Sequence, residues 1–292
     1  MPDRPAPHAR VLPANGIELS YFDWEPASPS AGKPVLLFAH ATGFHARAYD
    51  AIIEHFPQHR VISVDQRGHG RSTGEPITHW RVLIDDMLAL AEHLQLKDAV
   101  GIGHSMGAHV LLHTASEMPQ AFRQLVLFDP VILEPEYYAS EETIFTPDNP
   151  HPTAKRKRDF ASPEAMIERF KDRDPYNIFA PRVFEDYCRH GLLPAENGDG
   201  FELACAPEME ASVYESSRTN RGILDAAKTL QTPTLVVRAK RLNMMDFKGS
   251  PTWPGLAASM PNATDLDRSD RTHFHPFEDP ADAANIIAKA IA

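Results

Sequence analysis

Residues 99–107 read Ala-Val-Gly-Ile-Gly-His-Ser-Met-Gly, and this stretch decides the fold. Its first four residues form a short apolar run of the kind found in a strand that is buried on both faces. The pattern Gly-x-Ser-x-Gly follows at 103–107, and an apolar helical segment begins at 106. In this setting the pattern is typical of a tight strand-to-helix turn, and its glycines allow the helix and the strand to approach closely. The sequence therefore predicts that Ser105 is presented at the edge of a sheet.

Apolar runs of the same kind recur along the chain, with helical segments between them. One helix is indicated by the stripe formed by Leu83, Met87, Leu90 and Leu94, and another by Asp279-Pro280 followed by Ala281–Ala290. Such alternation predicts an α/β fold with a parallel, doubly wound sheet, whose sites lie at the carboxyl ends of the strands. The further apolar runs are Val35–Ala39, Val61–Val64, Leu125–Phe128 and Thr234–Val237.

The alternation stops in the middle of the chain, between about residues 131 and 228. Helix-like pieces occur there at Ser162–Lys171, Arg182–His190 and Glu208–Arg218, without a clean buried strand. A chain of 292 residues is long for one small domain and short for two average ones. We therefore expect a core formed by residues 1–132 and 221–292, with a helical cap inserted at 133–220.

Composition excludes several classes of function. The formal net charge of −11 argues against a nucleic-acid partner. The first 13 residues lack the apolar segment of a secretion signal, and the sequence has no apolar run long enough to span a bilayer, so a cytoplasmic protein is expected. Cys188 and Cys205 provide no metal-ligand spacing and leave one optional disulfide open. The basic run Lys155–Arg158 is expected to be a solvated turn, with a patch for an anion or a membrane as the alternative.

Four sequence blocks occur in an order that resembles a known family. They are VLLFAHATGF (35–44), VDQRGHGRS (64–72), GHSMG (103–107) and HFHPFEDP (273–280). Together they are similar to the serine-nucleophile, esterase/lipase-like branch of the α/β-hydrolase superfamily. The resemblance implies the α/β-hydrolase fold, in which a mostly parallel central sheet is flanked by helices, here with an inserted helical cap.

The resemblance also implies roles for individual residues. Ser105 is the expected nucleophile, and His273 is the expected general base because it matches the first histidine of the final block. His275 is expected to line the loop or the pocket. The expected oxyanion donors are the backbone N–H groups of Met106 and Thr42. The family has a His-Gly pair before the second donor, whereas this chain has His40-Ala41.

The acid that orients the histidine is left open between two positions. The usual position lies shortly after the strand Thr234–Val237, but the first carboxylate there is Asp246. Asp129 ends the preceding strand, and a minority of the superfamily carries the acid at that place. We favour Asp129, with Asp246 as the alternative; Asp267 and Asp270 are more remote candidates.

Four residues are candidates for substrate binding: His40, His104, Tyr137 and Glu210. The competing interpretation for His104, and for His109 on the following helix, is packing. Glu210 belongs to a group that could line a pocket under the cap or pack the cap on the core. The other members of this group are Tyr137, Tyr138, Glu208, Met209 and Tyr214.

These features predict a serine hydrolase that cleaves a carboxylic ester of a small organic acyl substrate through an acyl-enzyme. No cofactor or metal is implied, and the oligomeric state is left open. The first alternative is hydrolysis of a C–C bond in a diketone-like substrate, which uses the same residues. The second is a non-catalytic receptor that kept the fold and only binds a ligand.

Overall fold

The centre of the protein is a twisted sheet of eight strands. A computed structural model describes residues 6–26, 32–140, 145, 146, 148–196, 198–242 and 246–292. The strand order is β1-β2-β4-β3-β5-β6-β10-β11, and the six strands from β4 to β11 run parallel. The strands of this sheet are β1 (His8–Ala14), β2 (Ile17–Trp24), β3 (Leu36–Ala39), β4 (Val61–Val64), β5 (Ala99–His104), β6 (Phe122–Phe128), β10 (Thr234–Ala239) and β11 (Ala263–Arg268).

Helices cover both faces of the sheet, as the alternation of segments predicts. Several begin with proline at the first helical position, and the side chain of Asp279 caps the last helix by accepting from the N–H of Asp282. The helices are α1 (Asp50–Ile53), α2 (Arg81–His93), α3 (Met106–Glu117), α4 (Pro135–Ala139), α5 (Pro163–Phe170), α6 (Pro181–His190), α7 (Pro207–Glu215), α8 (Ile223–Thr229), α9 (Leu256–Ser259), α10 (His275–Glu278) and α11 (Pro280–Ile291). Short 3₁₀ helices lie at Ala46–Tyr49, Pro119–Ala121, Pro152–Lys155 and Tyr176–Ile178.

The apolar runs are buried because each strand contributes to two separate cores. On β3, Leu37 and Ala39 pack with α2, α3 and α8, whereas Leu36 and Phe38 pack on the opposite face with α1, α6 and α11. A strand that is buried on both faces needs apolar side chains at every position. This explains why the runs are continuous, and the α/β fold expected from them is confirmed.

The strand β11 was missed by the sequence analysis. Its residues Ala263–Arg268 read Ala-Thr-Asp-Leu-Asp-Arg, so four of the six side chains are polar, and none of the six residues is fully buried. It lies at the edge of the sheet and pairs with β10 only, so one side of the strand faces solvent. An edge strand that carries charged side chains does not have the apolar signature on which the other assignments rest.

The insertion at 133–220 contains more than helices. Besides α4 to α7 it holds a small antiparallel sheet in the order β7-β9-β8, formed by Asp159–Phe160 (β7), Leu192–Pro194 (β8) and Phe201–Leu203 (β9). The sequence analysis expected helices in this insertion, and the three short strands were missed. Strands of two or three residues are too short to show a periodic pattern in sequence.

The helix α7 is attached firmly to the core. The N–H of Ile77 donates to Ser212 Oγ (2.9 Å), and the indole N–H of Trp80 donates to the carbonyl of Val213 (2.9 Å). Buried hydrogen bonds of this kind are costly to break. The insertion is thus held in a fixed position beside the loop that follows β4.

Cys188 and Cys205 are both buried and free. In the basic run, Lys155, Lys157 and Arg158 are exposed, but the side chain of Arg156 turns inward and is only 18% exposed. The expectation of a solvated turn is wrong for Arg156. No helix in the described ranges combines the length and the apolar character that a bilayer crossing requires.

Replacement of Gly107 by alanine tests the close approach of α3 to β3. A Cβ atom at this position would lie 2.2 Å from the carbonyl oxygen of Ala39, which is rigid backbone. We expect Gly107→Ala to lower the free energy of unfolding by about 2–3 kcal/mol, measured by urea denaturation. The control is Gly222→Ala, where the added methyl group meets nothing closer than 3.6 Å. Equal stability of the two variants would contradict the account.

Candidate active site

Ser105 lies in a strained turn between β5 and α3. Its backbone has φ 56° and ψ −116°, a conformation that non-glycine residues rarely adopt. The turn is compressed: a Cβ on Gly103 would lie 2.4 Å from the Cα of Ala108. The N–H of Ser105 donates to the carbonyl of Phe128 on the neighbouring strand (2.9 Å). These contacts hold the serine side chain at the carboxyl edge of the sheet.

A chain of hydrogen bonds runs from Ser105 through His273 to Asp129. Ser105 Oγ lies 3.0 Å from His273 Nε2, and His273 Nδ1 lies 2.5 Å from Asp129 Oδ2. The three residues come from the ends of β5 and β6 and from the loop before α10. Because the ring Nδ1–H of His273 is directed at the carboxylate, the ring Nε2 is left to accept the serine hydroxyl proton.

Asp129 is fixed by its own hydrogen bonds. Its other oxygen, Oδ1, accepts from the N–H of Ala239 (3.0 Å), from Ser250 Oγ (2.5 Å) and from Thr252 Oγ1 (3.1 Å). Burial by itself would raise the pKa of this carboxyl, but the hydrogen bond and charge of His273, together with the other donors, hold the pKa below its usual range. Asp129 is therefore an ionised carboxylate at neutral pH.

Ser250 and Thr252 were missed by the sequence analysis. They lie in the loop after β10, the loop in which the superfamily usually carries its acid. Here that loop supplies hydroxyl groups to a carboxylate that comes from β6. A serine and a threonine in a proline-containing loop have no distinctive spacing, so only the three-dimensional arrangement identifies them.

The other acids considered from the sequence are engaged elsewhere. Asp246 accepts from the N–H of Lys248 (3.0 Å) within its own turn. Asp267 pairs with Arg238, and Asp270 pairs with Arg268. Of the four carboxylates considered, the structure brings Asp129 to His273.

The two expected oxyanion donors come from neighbouring parts of the chain, since the N–H of Gly107 at the start of α3 donates to the carbonyl of His40 just before Thr42 (3.1 Å). Met106 is the first residue of α3, and the first N–H groups of a helix have no partner within the helix. Thr42 belongs to a turn after β3 in which the N–H of Phe44 donates to the carbonyl of Ala41 (3.1 Å) and Gly43 has φ +76°. Thr42 is buried in this turn, which we call the oxyanion loop (residues 40–44).

His104 connects the oxyanion loop to His273. The N–H of Ala41 donates to the hydroxyl of Tyr49 (3.2 Å), and Tyr49 donates to Nδ1 of His104 (2.9 Å). Nε2 of His104 in turn donates to the carbonyl of His273 (2.8 Å). Because a carbonyl can only accept, these partners fix the tautomer of His104. Burial lowers its pKa to about 3, so the ring is neutral.

His104 and His40 therefore do not have a ring nitrogen available for a substrate. Nδ1 of His40 donates to the carbonyl of Ala41 (2.8 Å), and its Nε2 accepts from the N–H of Gln66 (2.8 Å). Burial lowers the pKa of His40 well below its usual range. The expectation that these two residues bind substrate is replaced by a structural role: they hold the loops that surround Ser105. Tyr49, which bonds to the N–H of Ala41 and to His104, was not identified from the sequence.

His109 and His275 also have structural partners. Nδ1 of His109 donates to the carbonyl of Val131 (2.8 Å), which agrees with packing as its role. Nε2 of His275 contacts the carboxylate of Asp282 on α11 (2.7 Å), and the ring is buried. His275 thus supports the loop that carries His273.

The residues expected to line a pocket are spread over the insertion. The guanidinium of Arg218 lies 5.2 Å from the ring centre of Tyr137, and Glu208 pairs with Arg158 at the surface. Tyr214 stacks on His151, the hydroxyl of Tyr138 accepts from the N–H of Leu133, and Met209 lies over Gly68.

Glu210 is the member of this group that reaches the oxyanion loop. The position that a Cβ on Gly43 would take lies 2.7 Å from Glu210 Oε1, and Glu210 forms an ion pair with Arg156. As for metal binding, the described part of the chain contains no group of three or more His, Cys, Asp or Glu side chains placed to hold an ion.

Comparison with known proteins agrees with this geometry. The sequence model described as "Alpha/beta hydrolase family" matches residues 36–286. The fold, the strained turn at Ser105 and this match place the chain in one class: it belongs to the alpha/beta hydrolase family.

The individual proteins that match this chain in sequence are only distantly similar to it. The chain is 32% identical over 115 residues to a bifunctional esterase/perhydrolase of Acinetobacter calcoaceticus, which covers 37% of this chain and 39% of that protein. It is 30% identical over 142 residues to a monoglyceride lipase of Homo sapiens, covering 46% and 45% of the two chains. These matches span less than half the length of either relative.

Solved structures resemble the whole chain. The crystal structure of E-2-(acetamidomethylene)succinate hydrolase superposes with a TM-score of 0.75 at 18% identity and covers 98% of this chain and 99% of that one. A thermophilic esterase from Thermogutta terrifontis superposes with a TM-score of 0.65 at 22% identity, covering 97% of both chains. At these identities the likeness shows the fold.

Buried neutral histidines predict that the protein loses stability in acid. Burial lowers the pKa of His45, His104 and His109 to about 3. The unfolded chain therefore binds protons below about pH 6.5 that the folded chain does not, so stability decreases as the pH falls. Asp50 and Asp65, whose pKa values burial raises to about 6, act in the opposite direction below that pH.

We expect the histidines to dominate and the melting temperature to be lower at pH 5.5 than at pH 7.5 by about 5 °C or more, measured by calorimetry. In His104→Gln this decrease should be smaller, because one buried titrating group has been removed. A melting temperature that is the same or higher at pH 5.5 would refute the assignment of neutral rings.

Proposed function

We propose that the protein is a serine hydrolase that cleaves a carboxylic ester of a small organic substrate through an acyl-enzyme intermediate. One observation carries this proposal: the continuous hydrogen-bonded chain from Ser105 through His273 to Asp129, whose serine lies in a strained turn at the carboxyl edge of the sheet. Nucleophile, base and orienting acid in hydrogen-bond contact are the arrangement required for nucleophilic acyl transfer.

The reaction follows from the positions of these atoms. Ser105 Oγ attacks the acyl carbon while its proton passes to His273 Nε2, and the carboxylate of Asp129 stabilises the imidazolium that forms. The tetrahedral intermediate collapses as His273 gives this proton to the departing alcohol, which leaves the acyl group on Ser105. Water then attacks the acyl-enzyme, with His273 again acting as the base. His273 returns the proton to Ser105 Oγ as the carboxylic acid leaves, which regenerates the serine hydroxyl.

The charge that develops on the carbonyl oxygen requires hydrogen-bond donors. We assign this role to the N–H groups of Thr42, in the loop after β3, and of Met106, the first residue of α3. Met106 also begins α3, so the positive end of the helix dipole lies next to the developing charge. Ala41 in place of glycine is compatible with this assignment, because the donor is the backbone of the next residue.

The names of the sequence relatives support ester chemistry. The two sequence relatives reported above are named as an esterase/perhydrolase and a lipase, and the two solved structures as an esterase and an E-2-(acetamidomethylene)succinate hydrolase. Each name belongs to a protein that matches part of this chain or only its fold. Ester hydrolysis is therefore the proposal, and the identity of the acyl group and alcohol is left to experiment.

Replacement of Ser105 by alanine tests the nucleophile. We expect the wild type to hydrolyse p-nitrophenyl esters of short acyl chains and Ser105→Ala to lose at least about 10⁴-fold in kcat/KM, because the acyl-enzyme cannot form. Release of p-nitrophenol measures the rate. Turnover that persists in Ser105→Ala would reject the mechanism.

The same assays separate the alternatives. If the wild type hydrolyses a diketone-like substrate and none of the esters, C–C bond hydrolysis replaces ester hydrolysis as the function. If it binds a ligand without turning over either class, and binding survives in Ser105→Ala, the receptor interpretation replaces both.

The orienting acid is tested by two matched substitutions. Asp129→Asn removes the charge that holds His273, so we expect a loss of about 10³-fold or more in kcat. Asp246→Asn changes the alternative acid, which lies in its own turn, and should stay within about threefold of the wild type. A larger loss in Asp246→Asn than in Asp129→Asn would reverse the assignment.

A further inference from the structure

A buried ion pair lies beside the oxyanion loop and has no part in the mechanism above. It joins Arg156, from the basic run of the insertion, to Glu210 in the first turn of α7. Their side chains are 18% and 6% exposed, so both charges are largely removed from water. Burial of two charges costs free energy unless the geometry of the pair compensates for the loss of hydration. A buried pair at this position therefore calls for an explanation.

Glu210 is placed directly against the oxyanion loop. Its carboxylate lies over Gly43, so close that a Cβ at this glycine would be 2.7 Å from Oε1 and 2.8 Å from the carboxyl carbon. Gly43 follows Thr42, whose N–H we assign to the oxyanion. A carboxylate at this place puts a negative charge next to the site at which a second negative charge develops during the reaction.

Arg156 supplies the opposite charge and is itself held in place. Its guanidinium donates to Glu210 Oε2, to the hydroxyl of Tyr176 (3.1 Å) and to the hydroxyl of Tyr187 (2.9 Å). The ring of Tyr187 packs on Phe44 of the oxyanion loop, with 5.0 Å between ring centres. The arginine is thus fixed by the same elements that surround the loop.

We propose that Arg156 is a positioning residue for the oxyanion site: it neutralises Glu210 and holds its carboxylate on Gly43, so that this carboxylate does not oppose the charge on the tetrahedral intermediate. The inference rests on the proposed function. Two like charges at short range repel strongly in a buried environment, where water screens them little. The pair therefore permits Glu210 to pack against the loop without a penalty to the reaction.

Four further titratable groups face the ion pair, and none of these tyrosine and cysteine side chains can carry a positive charge. Tyr176, Tyr187, Tyr214 and Cys205 face the pair from the 3₁₀ helix at 176–178, from α6, from α7 and from the segment before α7. Burial raises the pKa values of Tyr187, Tyr214 and Cys205. Arg156 is therefore the group among them that balances the charge of Glu210.

The experiment compares Arg156→Met with Arg158→Met in the full-length protein, using p-nitrophenyl butyrate. Arg158 belongs to the same basic run but is 49% exposed and pairs with Glu202 and Glu208 at the surface. We expect Arg156→Met to lower kcat at least about tenfold with less than about a threefold change in KM, and Arg158→Met to stay within about twofold of the wild type.

Removal of both charges separates electrostatics from folding. Arg156→Met/Glu210→Gln should recover most of the activity lost in Arg156→Met, and Arg156→Lys, which keeps the charge, should retain most of it from the start. A butyryl trifluoromethyl ketone, whose adduct with Ser105 carries an oxyanion, should bind less tightly to Arg156→Met by a factor similar to the loss in kcat. Melting temperatures report whether each variant is folded.

The proposal is overturned if Arg156→Met is as active as Arg158→Met, if the double variant recovers nothing, or if Arg156→Lys loses as much as Arg156→Met. If the wild type and Arg158→Met are also inactive on the ester, the proposed function has failed instead.

Discussion

The close approach of helix α3 to the strands beside it is the constraint on which the rest of the structure depends. Gly107 lies against the carbonyl of Ala39, and Gly103 lies against the first turn of the helix. The chain can reverse in so short a space only because Ser105 adopts a positive φ. The strain of this turn is offset by the two apolar cores on either side of the sheet, which hold β3, β5 and α3 in place.

Ser105 lies in this turn, and the other residues of the site lie in loops beside it. Because β3, β5 and β6 are parallel and adjacent, their carboxyl ends bring Thr42, Ser105 and Asp129 to one edge of the sheet. His273 arrives from the loop before α10, and its carbonyl is held by the ring of His104. Neutral imidazoles with both nitrogens hydrogen-bonded, as in His40 and His104, therefore connect the loops, whereas Nε2 of His273 faces Ser105.

The sequence predicts those features that depend on local patterns. Continuous apolar runs identify the inner strands, and Gly-x-Ser-x-Gly identifies the strand-to-helix turn at Ser105. Each of these patterns is contained within a few consecutive residues. The edge strand β11 lacks the apolar run and was missed. The choice between Asp129 and Asp246 was left open, because it depends on the arrangement of loops after two strands that are more than a hundred residues apart in the chain. Arg156 could not be distinguished from its exposed neighbours, because only the fold turns it inward.

The central claim is that Ser105 is a nucleophile activated by His273, and covalent labelling tests it most directly. The protein would be incubated with a fluorophosphonate, and the modified residue identified by mass spectrometry of its peptides. The account predicts one adduct, on the peptide that contains Ser105, and a strongly reduced rate of labelling in His273→Ala. Labelling of a different residue, or an equal rate in His273→Ala, would contradict it.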